Sequence, residues 1–198
     1  DAAGMTGAIR ENALLIVSAA AIGSILGASQ VLLLGYCNSI GAADGIALAL
    51  GLNSGASLVG AILIGSKSDW RWGAERRFAV AAILFALLTI PTALVSGFLP
   101  YLVATTAAGF GIAPMFIQSN AVIAERSGGS ARSAAFALIG GGVIFGISAG
   151  SAIGGVAIDA AGASDARLIL IPLALLMVLP ILVGAQRAEK RPTRSAKR

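Results

Sequence analysis

Five stretches of this chain contain no Asp, Glu, Lys or Arg: residues 12–43, 45–66, 78–124, 133–158 and 168–186. A helix needs about 20 mostly apolar residues to cross roughly 30 Å of hydrocarbon. Four of the stretches are long enough for one crossing each. The stretch 78–124 has room for two, and "SGFLP" at 96–100 places Gly and Pro where a helix would break. The expected spans therefore lie near 13–37, 46–65, 78–96, 101–124, 134–158 and 168–185, followed by a basic tail over 186–198. Composition agrees: 57% of residues are hydrophobic and 12% charged, with a mean hydropathy of +0.90. Soluble domains run nearer half apolar and a quarter charged. No amphipathic stripe is present to give a buried core a wet exterior. The fold class is an all-α membrane protein, a bundle of six transmembrane helices.

With six spans, successive loops alternate sides and both termini share one. That side collects Arg10, the loop residues Lys67, Arg71, Arg76 and Arg77, then Arg126 and Arg132. It also holds Arg187, Lys190, Arg191, Arg194, Lys197 and Arg198 of the tail, so 13 of the 14 basic residues lie together. Only Arg167 falls opposite, beside Asp159 and Asp165. Basic loops remain cytoplasmic. The expected placement is a multi-pass protein of the cell (inner) membrane with both termini inside. Trp70 and Trp72 are expected at the inner interface, Tyr36 and Tyr101 at the outer one. The tail "QRAEKRPTRSAKR" reads as a solvated topogenic segment beside the bilayer, and no nucleic-acid partner is expected. The chain begins with Asp1 rather than Met, which reads as a partial or processed piece, and nothing near it reads as a cleavable signal.

The chemistry of enzymes is missing. There is no His, so Ser–His dyads, His-ligated metals and His proton relays are excluded. No acidic residue lies inside an expected span, which removes paired carboxylates at membrane depth. Cys37 is the single cysteine and cannot form an internal disulfide. The Gly-rich runs lack the Gly-Lys-Ser/Thr ending of a phosphate-binding loop. The expectation is no enzyme, no cofactor and no metal. What remains is packing. Gly142, Gly146, Gly150 and Gly154 recur every four residues and share one face of the fifth span; Gly51 and Gly55 start a similar face on the second. Small faces let membrane helices approach closely. They serve either static packing within the bundle or an interface that slides against helices outside it.

The most charged segment, "GSKSDWRWGAERRF" at 65–78, resembles the cytoplasmic loop signature of the major facilitator superfamily of secondary transporters, in Gly65, Asp69, Gly73, Arg76 and Arg77. It departs from that signature at Trp70, which stands where a basic residue is usual, and at Ala74 and Glu75, which separate Gly73 from the arginine pair. The stretch 109–162, with Pro114, a short charged loop and a glycine helix ending in Asp159 and Gly162, resembles the tenth and eleventh spans of bacterial drug and sugar efflux members. The resemblance implies the C-terminal six-helix half of a twelve-helix carrier. Such a half moves a small molecule by alternating access against an N-terminal half, in the same or a separate chain, here as an exporter. It implies a gating role for the 65–77 loop, where the bottom-up reading is a topological anchor. It places Gln30, Gln118 and Asn120 on cavity-lining spans, with Asn53 on the next; each could equally bond a neighbouring helix. It also implies that the glycine face of the fifth span meets the opposite half. A degenerate half-carrier or a non-transporting scaffold fits the same residues.

The charge bias makes one test direct. A reporter fused after Arg198 should behave as cytoplasmic and one inserted at Ala42 as external; the same side for both contradicts six crossings.

Overall fold

The structure is a computed structural model. It describes the backbone of residues 2–66, 71–126 and 129–189, and side chains over 13–66, 71–126 and 132–182. Among the described residues there are helices and no strands. The elements are α1 (Ala2–Ser39), a 3-10 turn at Ala43–Gly45, α2 (Ile46–Gly65), α3 (Ala74–Leu94), α4 (Phe98–Arg126), α5 (Gly129–Ala166), a 3-10 turn at Arg167–Ile169, and α6 (Leu170–Glu189).

Local chemistry sets the ends. α1 stops where Gly41 takes φ +70°: Ala42 N–H then donates to Cys37 C=O at 2.8 Å and closes the last turn. The break expected at 96–100 falls between Leu94 and Phe98, through an extended Val95 and Gly97 at φ +88°. α5 is interrupted at Gly162, whose φ of +78° and ψ of 158° lie outside the helical region. Among the described residues, five segments are long and apolar enough to cross a membrane, and the last, Arg132–Leu182, is 51 residues long. As continuous helix it would measure about 76 Å, more than twice the hydrocarbon thickness.

The helices pack in the order α5–α1–α6–α3–α4–α2. Exchanging α1 with α4, α2 with α5 and α3 with α6 leaves this order of partners unchanged. The chain is thus two three-helix units with the same packing plan. The main apolar core lies among α1, α3, α4, α5 and α6 around Ile22, Ile25, Phe85, Met115, Ile123 and Met177.

The glycine stripe has a definite partner. A Cβ on Gly146 would strike Ala20 O and one on Gly150 would strike Ser24 O, both on α1; Gly142 lies against Ile16 O and Gly154 against Ala28. α1 answers with Gly23 against Val143 O and Gly27 against Ile147 O. The expectation that this face meets an opposite half is therefore corrected: its four glycines are covered by α1 of the same bundle. Ungapped contact of the two backbones leaves no room for another helix. A smaller version joins α2 to α4, where Gly60 lies against Phe110 O and Gly109 against Asn53 O. Gly51 and Gly55 on α2, and Gly140, Gly141 and Gly155 on α5, have nothing within 4 Å.

These two classes of glycine should respond oppositely to bulk. Gly146→Leu should cost at least about 1–3 kcal/mol through forced separation of α1 and α5, seen as loss of monodisperse protein and a lower Tm. Gly141→Leu should leave folding and Tm nearly unchanged.

Candidate transport cleft and its two ends

A cleft of about 560 Å³, counting the part open to its surroundings, lies between the two units. Ser29 and Gln30 reach it from α1, Asn53 from α2, Thr89 and Thr92 from α3, and Tyr101 and Thr105 from α4; Leu26, Leu50, Phe85, Ile112 and Leu170 supply apolar wall. No residue of this lining is charged. Several polar groups are already committed. Thr89 Oγ1 donates to Phe85 O at 2.8 Å and Thr92 Oγ1 to Thr89 O at 2.6 Å, helix-internal bonds that cancel the cost of a buried hydroxyl. Asn53 Nδ2 donates to Thr105 O at 2.7 Å and straps α2 to α4. The buried Thr105 hydroxyl is turned toward the Tyr101 phenol, four residues earlier on the same helix.

Of the four expected polar candidates, the structure brings Gln30 and Asn53 together in the cleft and leaves out the other two. Tyr101, Thr105, Ala108 and Ile112 form the cleft face of α4, whereas Phe110, Pro114 and Gln118 line a groove on its other side, between α2 and α3. At 100° per residue the two sets lie about 200° apart. Gln118 is buried there, 4% exposed, and its Oε1 lacks a partner among the described residues. Asn120 is exposed and does not line the cleft. Helical register alone separates Gln118 from Thr105, although both are polar residues of one helix.

The end of the bundle holding the 65–77 loop is closed by two reciprocal ion pairs. Arg126 at the last turn of α4 meets Glu75 in the first turn of α3, with Nε donating to Oε1 at 2.7 Å and Nη2 at 2.6 Å. Arg77 of α3 reaches Glu125 of α4 at 3.3 Å. The Glu125 carboxylate also accepts from Ala74 N–H at 3.4 Å, at the start of α3. The Glu75–Arg126 charges sit at the helix ends whose dipoles favour them, Glu75 at an N-terminus and Arg126 at a C-terminus, whereas Arg77 and Glu125 sit at the opposite ends and rely on each other. Of the expected loop signature, Arg77 is thus engaged inside the bundle, and Arg76 lies 4.8 Å over the Trp72 ring. Gly65 and Gly73 are exposed with open space about them. Asp69, with Lys67 and Trp70, lies outside the described residues.

At the opposite end is a cluster that sequence reading missed. Arg167 is 4% exposed. Its Nη1 donates to Thr92 O at 3.1 Å and Val95 O at 2.7 Å, and its Nε to Ser164 O at 3.1 Å. The guanidinium lies 3.6 Å from the Tyr36 ring centre and 5.4 Å from that of Tyr101. The two rings meet edge to face at 4.7 Å, and Tyr36 Oη accepts from Gly97 N–H at 2.8 Å. One cation therefore binds the carbonyl-rich end of α3, α1, α4 and the turn before α6. The expectation that Tyr36 and Tyr101 sit as interfacial anchors is corrected: both are buried, because Arg167 needs their faces. The available signal was the solitary basic residue on its side; Thr92, Val95, Tyr36 and Tyr101, all more than 60 residues away in sequence, gave none.

These features define an all-α membrane protein whose uncharged cleft lies between two similarly packed units and whose ends are tied by charge. The sequence model of the Major Facilitator Superfamily matches residues 3–198, and the chain belongs to that family of membrane transport carriers. No curated protein matches the chain.

Removing the amide with the unpartnered Oε1 distinguishes the two sides of α4. Gln118→Met should leave transport unchanged and stability equal or raised by about 1 kcal/mol, measured by thermal unfolding and flux in the same preparation.

Proposed function

We propose that the chain forms one six-helix half of a carrier that passes a small, uncharged and largely apolar molecule across the membrane by alternating access. The observation that carries this is the lining of the cleft: an apolar wall whose polar groups are all hydroxyls and amides, the pattern of small-molecule sites. A charged ligand would lose its hydration against this wall without gaining an opposite charge. Asn53 and Gln30, with the hydroxyls of the lining, supply hydrogen bonds for the ligand's polar end.

The remaining elements of the reading follow from geometry and charge. The 51-residue segment Arg132–Leu182, interrupted at Gly162, is taken as two crossings, which brings the spans to six. The basic residues then lie on the cytoplasmic side of the inner membrane together with both termini. The outward faces of α2 and α5, with Gly51, Gly55, Gly141, Ile144 and Phe145 uncovered, offer a second half its docking surface. Export is the direction implied by the likeness to efflux members. Any coupling proton is carried outside this cleft, whose lining has no acid. The 65–77 loop acts as the inner gate through Asp69 and Arg76, while Arg77 holds α3 to α4.

Single-cysteine accessibility tests the reading. In a Cys37→Ser background, Ser29→Cys and Asn53→Cys should react with a membrane-impermeant maleimide from both sides of the membrane, at rates within about a hundredfold of each other. Leu175→Cys, 60% exposed on the outside of α6, should stay unreactive because lipid covers it. Labelling of the cleft positions from neither side, or from one side only under all conditions, would refute alternating access and leave a scaffold.

A further inference from the structure

The groove on the far side of α4 is separate from the transport cleft in its lining and in its chemistry. Phe110, Pro114 and Gln118 form its floor, with Leu63 of α2 and Val80 and Leu84 of α3 as walls, around about 680 Å³ counting the part open to its surroundings. The surface it offers is carbon throughout. Leu63, Val80 and Leu84 are 58%, 45% and 46% exposed, so the walls stand open to whatever surrounds the bundle. In a membrane protein those surroundings are acyl chains.

One end of the groove is different. Trp72 and Arg77 line it, and the Arg76 guanidinium lies 4.8 Å over the Trp72 ring. Arg77 is paired with Glu125, while exposed Arg71 and Arg76 make no ion pair among the described residues. An indole at the mouth marks the depth of the headgroup layer. The exposed Arg76 guanidinium over it, and exposed Arg71 preceding Trp72 in the chain, present planar forks suited to phosphate oxygens. The occupant with this profile is apolar for most of its length and anionic at one end.

We propose that the groove between α2 and α3 is a binding site for an anionic phospholipid, one acyl chain lying on Phe110 and Pro114 and the headgroup phosphate resting on Arg71 and Arg76. The site is independent of what the carrier transports, and its occupant would fill the gap that α2 and α3 leave as they lean on α4.

The test uses the intact protein in nanodiscs of phosphatidylcholine doped with a phosphatidylglycerol carrying a diazirine in its acyl chain, or with the phosphatidylcholine of the same tail. Crosslinked residues are mapped by mass spectrometry. Labelling should concentrate on Leu63, Val80, Leu84 and Phe110, and should favour phosphatidylglycerol by roughly five- to thirtyfold, since each basic group near the surface favours anionic lipid several-fold. Arg71→Gln with Arg76→Gln, both at the surface, should reduce that preference to below about twofold without unfolding the protein. Leu84→Trp should reduce groove labelling by both lipids, and Val80→Phe serves in its place if that variant fails to fold. Equal labelling by the two lipids, unaffected by the arginine changes, would overturn the proposal in favour of ordinary boundary lipid. Labelling spread evenly over the outward faces of α3 and α6 would overturn it too.

Discussion

Two helices meeting in lipid release no water, so their attraction depends on how closely their backbones approach. The α1–α5 seam is the extreme instance here. Gly23 and Gly27 on one helix and Gly146 and Gly150 on the other each place a bare Cα against a carbonyl oxygen across the gap. Many weak contacts of this sort add up because dispersion falls off steeply with separation. The seam also settles what the glycines are not. A face so filled is closed to any other helix, whereas Gly51 and Gly55 on α2 and Gly140, Gly141 and Gly155 on α5 stay uncovered. The rest of the architecture follows: α1 is pinned to α5, α4 to α2, and the cleft is the space left between the two pinned pairs.

Charge closes the bundle at both ends by different means. At the loop end, Glu75–Arg126 and Arg77–Glu125 cross between α3 and α4 as partly exposed pairs. Each contributes modestly, on the order of 0–1 kcal/mol for exposed pairs and more where a helix end assists. At the other end a single buried cation does the joining, with carbonyl oxygens and aromatic faces in place of a carboxylate. Leaving such a cation without its partners would be costly in a low-dielectric setting. This end should therefore be the stiffer of the two.

How legible the chain was depends on the range of the interaction. The break between α3 and α4 was readable from Gly97 and Pro100, and the interruption near Gly162 from the charged, Gly-rich stretch around it, because backbone conformation is decided within a few residues. The two glycine faces were readable as faces, since a four-residue spacing fixes register. Which helix each would meet was not. Arg167 was visible as an isolated cation, but Thr92, Val95 and Tyr36 come to it only through packing of α1, α3 and the α5–α6 turn. Glu75 looked like a spacer in a loop signature until Arg126, 51 residues on, arrived to pair with it.

The sequence by itself determined that this chain is a helical membrane protein, that its long uncharged stretches hold no acid or His, and that its basic residues gather in the segments between and after them. These follow from hydropathy, residue inventory and loop charge, which need no partner to act. Only the tertiary structure decided which glycines are covered, that Gln30 and Asn53 share a cleft while Gln118 faces away, and that Tyr36 and Tyr101 serve a buried arginine. Those depend on which helix faces stand opposite one another. In a bundle of nearly uniform apolar surfaces, that choice is made by close backbone fit and a few polar contacts spread over distant parts of the chain.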